Sequence, residues 1–135
     1  MQSIITKEYD YALRILLFLI NKKEYTSLEA IHKKMHIKKS MIIKIIQKLK
    51  KTSLVTTKTG QKGGIIMDKC ITNMSIYEVL SNMGINISFN DCINSKSCCT
   101  LETICKATKF FSELTNDVNI KLKEKKMKEL VFDNI

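Results

Sequence analysis

The sequence predicts a mainly helical fold in which three amphipathic helices lead into a short β-ribbon and one long helix closes the chain. Three observations carry that expectation. Apolar residues recur at three- and four-residue spacing in Lys7–Ile20, in Lys38–Lys51 and again from Leu101 onward. Leu54-Val55-Thr56-Thr57 and Ile65–Met67 have β character and are separated by Gly60 and the Gly63-Gly64 pair. The charge is also divided: Met1–Lys69 holds 15 Lys/Arg against 5 Asp/Glu, whereas Cys70–Ile135 holds 8 against 8.

The first helix is expected from about Lys7 to Ile20, with Tyr9, Leu13, Leu16, Leu17 and Ile20 on one face and Thr6 as its cap. Asn21–Tyr25 is a polar break. Thr26 or Ser27 can cap a second helix that aligns Leu28, Ile31 and Met35. His36-Ile37 makes a tight turn into a third helix, Lys38–Lys51, which turns Ile42, Ile45, Ile46 and Leu49 inward and Lys39, Lys44, Lys48 and Lys51 outward. Helix, helix, turn, helix, ribbon is the order of a winged helix-turn-helix, whose third helix enters the major groove of a duplex.

Beyond Cys70, Ser75-x-x-Glu78 reads as a capping box opening a helix through about Asn82, with Ile76, Val79 and Leu80 inward and Gly84 ending it. Ile85–Thr100 is a polar loop. From Leu101 the positions Ile104, Ala107, Phe111, Leu114, Val118 and Leu122 predict a helix of about 22 residues, roughly 33 Å long. A helix that long finds its second apolar partner in another subunit. The tail Lys121–Lys128 is expected to be solvated, with Met127, Leu130 and Val131 docking back.

A chain of 135 residues is one compact domain or two small units sharing a core, divided here at 1–69 and 70–135. The net charge of +10 and a pI near 9.4 call for an acidic partner, nucleic acid first and anionic membrane second. The longest apolar run, Ile15–Ile20, is far below the roughly 20 residues of a spanning helix. Met1–Asp10 shows no secretory pattern, so a cytoplasmic, membrane-free protein is expected. Arg14 is the sole arginine, which leaves bidentate guanine recognition by arginine largely out of reach.

Cys92, Cys98, Cys99 and Cys105 crowd into fourteen residues. Without export signals, such thiols read as reduced, and clustering favours a metal or redox role over a disulfide framework. Paired ligands two to four apart, as structural zinc prefers, are missing. Loosely spaced thiols suit a larger polynuclear cluster, although zinc, a labile disulfide or ordinary apolar cysteines stay open on spacing alone. A long helix starting near Thr100 would place its positive end beside such an anionic group. Cys70 reads as structural, and His32 and His36 as surface residues beside the turn. No Cys-x-x-Cys motif exists and no histidine neighbours a cysteine, so a thiol enzyme is not expected.

Several short motifs in order complete the reading: Ile5-Thr6-Lys7-x-x-Asp10-Tyr11-Ala12-Leu13-Arg14, then Ser40, Leu49-Lys50-Lys51 and Leu54-Val55, then Gly60-x-x-Gly63-Gly64, then Ile76-Tyr77-x-Val79-Leu80, then the cysteine loop. Together they resemble the bacterial winged-helix regulators of the IscR, NsrR, RirA and CymR family over almost the whole chain. The resemblance implies a non-enzymatic transcription regulator, most often a repressor, that binds a palindromic double-stranded operator as a homodimer joined through crossed long helices. It implies an iron–sulfur cluster on Cys92, Cys99 (or Cys98) and Cys105, sensing nitric oxide, redox or iron status. The fourth ligand divides the family: the histidine of IscR-like members falls at Thr108, whereas the first-helix aspartate of NsrR-like members is matched by Asp10. That favours an NsrR-like sensor with a four-iron rather than a two-iron cluster. The alternative is a cluster-free member controlled by thiol oxidation or a partner enzyme.

The expected DNA contacts are Thr26, Ser27, Lys38, Lys39, Ser40, Lys44 and Lys48 around the reading helix, and Lys58, Lys62 and Gly63 on the wing. Three departures from the family pattern, Thr59, Ile65 and Ile43, mean that operator sequences cannot be carried over from better-known members.

Overall fold

The computed structural model of the chain describes residues 3–90, 101 and 105–133. Helix α1 (Lys7–Ile20) is the spine of the molecule, and its Ile15, Leu16, Phe18 and Leu19 are fully buried. Thr6 holds the cap position, yet its hydroxyl makes no capping bond; its carbonyl instead accepts from the Tyr9 and Asp10 amides, both at 3.1 Å. Glu8 and Asp10 place negative charge in the first turn, where the helix dipole favours it.

Helix α2 (Leu28–Met35) is capped by Ser27, whose Oγ accepts from the Ala30 amide at 3.1 Å. His36 ends it in the left-handed conformation, φ 54°, and its amide donates to the His32 carbonyl. The expected surface role of His32 is modified: the ring is half-buried and bonds across the turn to the Ile37 carbonyl at 2.8 Å. Helix α3 (Lys39–Lys51) begins one residue later than the sequence suggests, with Lys38 as its cap residue, and buries Ile42, Ile45, Ile46 and Leu49.

Strands β1 (Val55–Lys58) and β2 (Gly64–Met67) form an antiparallel ribbon running in register from Val55 opposite Met67 to Lys58 opposite Gly64. A side chain on Gly63 would collide with the Lys58 carbonyl, so the tight return of the ribbon requires glycine there. The ribbon is tied to the rest of the unit by a bridge between Thr26 and Ile65, with reciprocal amide–carbonyl bonds of 2.9 and 2.8 Å. Gly64, at φ 143°, permits this approach, because a Cβ there would stand 2.5 Å from the Thr26 carbonyl oxygen.

A 3-10 turn, Lys69–Asn73, leads to α4 (Ile76–Asn82), whose capping box forms as expected: Ser75 Oγ accepts from the Glu78 amide and Glu78 Oε2 from the Ser75 amide. The last long helix, α5 (Lys106–Glu124), packs against α4, with Lys123 Nζ over the Tyr77 ring and Thr115 Oγ1 accepting from the Phe89 amide. It has 19 residues, about 28 Å at the usual rise, rather than the longer span expected from Leu101. Cys105, in extended conformation, starts it.

After α5 the chain returns to bridge Ser75 to Lys126 and inserts Met127, which is fully buried. Leu130 does not dock as expected and is largely exposed; Phe132 packs against the core instead, and its carbonyl accepts from the Asn21 side chain. One core holds α1, α2, α3, the ribbon, α4 and Met127, so both halves of the sequence contribute to it. Among the described residues, no helix is long and apolar enough to cross a membrane.

Candidate nucleic-acid interface and thiol site

The four buried residues of α3 lie within about 100° of arc on a helical wheel, so the opposite face is outside by construction. That outer face carries Ser40, Ile43, Lys44, Gln47 and Lys51, all exposed, with Lys39 and Lys50 along one flank and Lys48 along the other. The helix contains no acidic residue. A basic ridge without acidic residues suits the backbone of a polyanion, since each lysine that meets a phosphate releases a condensed counterion.

The flanking lysines are held by carboxylates from neighbouring helices. Glu8 of α1 accepts from Lys44 at 3.3 Å and also pairs with Lys48, and Glu29 of α2 pairs with Lys39 and, at 3.9 Å, with Lys33. The Lys48 ammonium, and then Lys44, hold the Glu8 carboxyl below the ordinary carboxylate range, and the Lys48 pKa rises in return. Lys39 does the same for Glu29. These exposed pairs contribute little to stability. Their effect is on placement: two lysines of the outer face are oriented by a residue more than thirty positions upstream.

The other sequence candidates are spread around this ridge. Ser27 is exposed and occupied as a cap, and Lys38 opens α3. Lys58 and Lys62 are exposed on the ribbon, with Lys58 Nζ 5.9 Å from the Tyr25 ring centre and Gly63 shaping the turn between them and β2. Thr26 is buried, its hydroxyl directed at the Glu24 carbonyl and its backbone committed to the ribbon bridge; this geometry gives its side chain no outward surface. Sequence reasoning left Gln47 and Lys51 out of the contact set, although their spacing from Lys44 places them on its face. Glu8 and Glu29 had no local signal at all.

Of the thiols, Cys92, Cys98 and Cys99 lie outside the described residues. Cys105 is half-buried at the start of α5, and the Thr108 hydroxyl and amide beside it hold its thiol below the ordinary range. A thiol so placed is inclined to ionise, as a soft metal ligand must. Thr108, at the position where a histidine would have supplied a nitrogen ligand, thus addresses the sulfur instead. Asp10 is half-exposed and bonded to Arg14 at 2.8 Å, one turn along α1. Among the described residues no three His, Cys, Asp or Glu side chains come together as a metal site. Cys70, expected to be structural, is exposed, and its pairing with the Asp68 carboxylate pushes its pKa up.

Comparison with known proteins agrees with this architecture. A family profile described as Rrf2, iron-dependent transcriptional regulator, matches residues 5–133. A regulator from Bacillus licheniformis named HTH-type transcriptional regulator NsrR is 33% identical over 104 residues, covering 75% of this chain and 73% of that protein. Among solved structures, T. potens IscR superposes with a TM-score of 0.72 at 13% identity, over 93% of this chain and 85% of that one. CymR of B. subtilis superposes at 0.68 with 14% identity, over 96% of both. At such identities the two structures speak for the fold.

Proposed function

This chain belongs to the Rrf2 family of transcriptional regulators, and on that premise we propose that it is a homodimeric repressor whose hold on a palindromic operator is gated by an iron–sulfur cluster. The observation that carries the reading is the acid-free outer face of α3, backed by its own core and flanked by the ribbon. In this reading α3 enters the major groove, with Lys38, Lys39, Ser40, Lys44 and Lys48 meeting bases and phosphates. Ser27 and the wing residues Lys58, Lys62 and Gly63 meet the adjacent backbone. Lys39, Lys44 and Lys48 exchange carboxylate partners for phosphates on docking.

Residues 1–69 read the duplex and residues 70–135 sense and assemble. Cys92, Cys99 (or Cys98) and Cys105 would hold a four-iron cluster, with Asp10 of the second subunit completing it. Cys105 fits that role through its place at the mouth of α5, where Thr108 holds its thiol below the ordinary range. When bound, the cluster would supply a centre reactive toward nitric oxide and oxygen. This chain's own part is to fix the start of α5 through Cys105, and with it the packing of α5 on α4. A second subunit is supported by α5 itself, where Thr115 is the one buried residue and the apolar stripe is only half-covered. The cytoplasm, where such a regulator finds its DNA, is the proposed compartment.

The test is anaerobic purification followed by a visible spectrum, iron and acid-labile sulfide assays, and duplex binding before and after nitric oxide. Protein that is coloured and contains iron and sulfide, and whose binding changes with nitric oxide, is the expected result. Colourless protein lacking both elements would overturn the gating and leave a thiol- or partner-controlled regulator. Replacing Cys105 by Ala abolishes the cluster while the dimer stays folded.

A further inference from the structure

Of the eight exposed residues of α3, seven are polar: Lys39, Ser40, Lys44, Gln47, Lys48, Lys50 and Lys51. The eighth is Ile43, which is 48% exposed. A single exposed apolar side chain elsewhere on a protein asks for no explanation. Here it stands at the edge of the outer face, about 60° around the helix from buried Ile46 and about 160° from Ile45, and its neighbour one turn on is Gln47, the only uncharged amide on that face. Residues four apart on a helix are about 5–6 Å apart at Cβ, close enough to address neighbouring base pairs.

The chemistry of the two side chains narrows what they can read. A glutamine amide presents one acceptor and a pair of donors in a plane, which matches N6 and N7 of adenine. Isoleucine offers only apolar surface, and the one apolar group on the floor of the major groove is the thymine methyl. The rival bases are less well matched by this pair. Cytosine N4 is best met by an acceptor carboxylate, and α3 has none. Guanine is best met by an arginine fork, and the sole arginine, Arg14, is on α1 and bonded to Asp10. The nearest lysines, Lys44 and Lys48, are paired with Glu8 in the free protein and pass to phosphates on docking. Lysine there serves phosphate as a point charge.

We propose that Ile43 and Gln47 are the base-reading pair of this chain, Ile43 covering a thymine methyl and Gln47 taking an adenine at the adjoining base pair. Each half-site therefore carries an A·T-rich step at the centre of the reading-helix contact. The inference rests on the major-groove docking proposed above and adds to it the identity of the bases.

Selection of duplexes from a random pool by the purified full-length protein supplies the probe. In the selected duplex, each thymine is then replaced singly by uracil, which deletes the methyl and keeps the pairing. The expected result is a loss of about fourfold in affinity at one thymine per half-site, and no loss there for Ile43→Ala. Gln47→Ala loses discrimination at the adjoining A·T pair by roughly tenfold to a hundredfold. Both variants keep the salt dependence of binding, since neither side chain is charged. Uracil tolerated at every position by a protein that still selects a defined sequence overturns the assignment, as does undiminished uracil sensitivity in Ile43→Ala. A protein that selects no sequence at all overturns the docking reading itself, and the inference with it.

Discussion

Helix α3 buries Ile42, Ile45, Ile46 and Leu49 within its own subunit, whereas the longer α5 buries only Thr115 and leaves Phe110 and Ile120 in solvent. Both sequences repeat apolar residues at helical spacing. The difference lies in what surrounds them: α3 is wedged among α1, α2 and the ribbon, while among the described residues α5 packs chiefly against α4. A helix whose apolar stripe is satisfied at home can devote its outer face to charge. A helix whose stripe is half-covered still has apolar area to remove from water, and another copy of itself is a natural source of cover. Charge follows the same division, since the basic half of the chain ends at the ribbon and the remainder is neutral.

That contrast can be broken most decisively in the core of α3. Leu49→Ala deletes part of a side chain that is 1% exposed and should cost about 2–5 kcal/mol, read as a lowered denaturation midpoint. Next comes α5, where Phe110→Glu with Leu114→Glu should leave the subunit folded by circular dichroism. Sedimentation should then show a monomer, with palindromic-duplex affinity down roughly a hundredfold or more through loss of the second half-site. A dimer that survives both charges would move the interface elsewhere.

Smaller effects belong to the charged faces. Lys51→Ala should weaken binding a fewfold across all sequences and lower the slope of log affinity against log salt by about one. An unchanged slope would remove Lys51 from the phosphate contacts. Smallest is Glu8→Gln, which frees Lys44 and Lys48 from their internal partner and should raise low-salt affinity by roughly twofold to fivefold. Weaker binding in that variant would show that orienting the lysines matters more than competing with phosphate.

Periodicity sufficed for the elements whose stabilising partners are local. The 3.6-residue repeat located α1, α2 and α3 to within a residue or so, and the Ser75–Glu78 capping box named its own helix. It faltered where the deciding contact is distant. The Glu8 grip on Lys44 and Lys48 exists because α1 crosses α3, and nothing near either residue signals it. Thr26 looks from its neighbours like a cap, yet the ribbon claims its backbone and buries its hydroxyl. The apolar series from Leu101 runs on before α5, so the pattern overstated the helix that Cys105 begins. Phe132, of which nothing was expected, takes the docking place foreseen for Leu130 because the tail closes on Asn21, 111 positions upstream.

The stitch between Thr26 and Ile65, made possible by the missing side chain of Gly64, has a geometric corollary. The hairpin cannot swing away from the threshold of α2 without surrendering two backbone hydrogen bonds. The chain is therefore a caliper with fixed jaws, whose helix and hairpin tip are held at one gauge. In the proposed dimer, any adjustment to a duplex of different pitch must be made by rotating whole subunits, and tolerance to inserted base pairs should be confined to the spacer between half-sites.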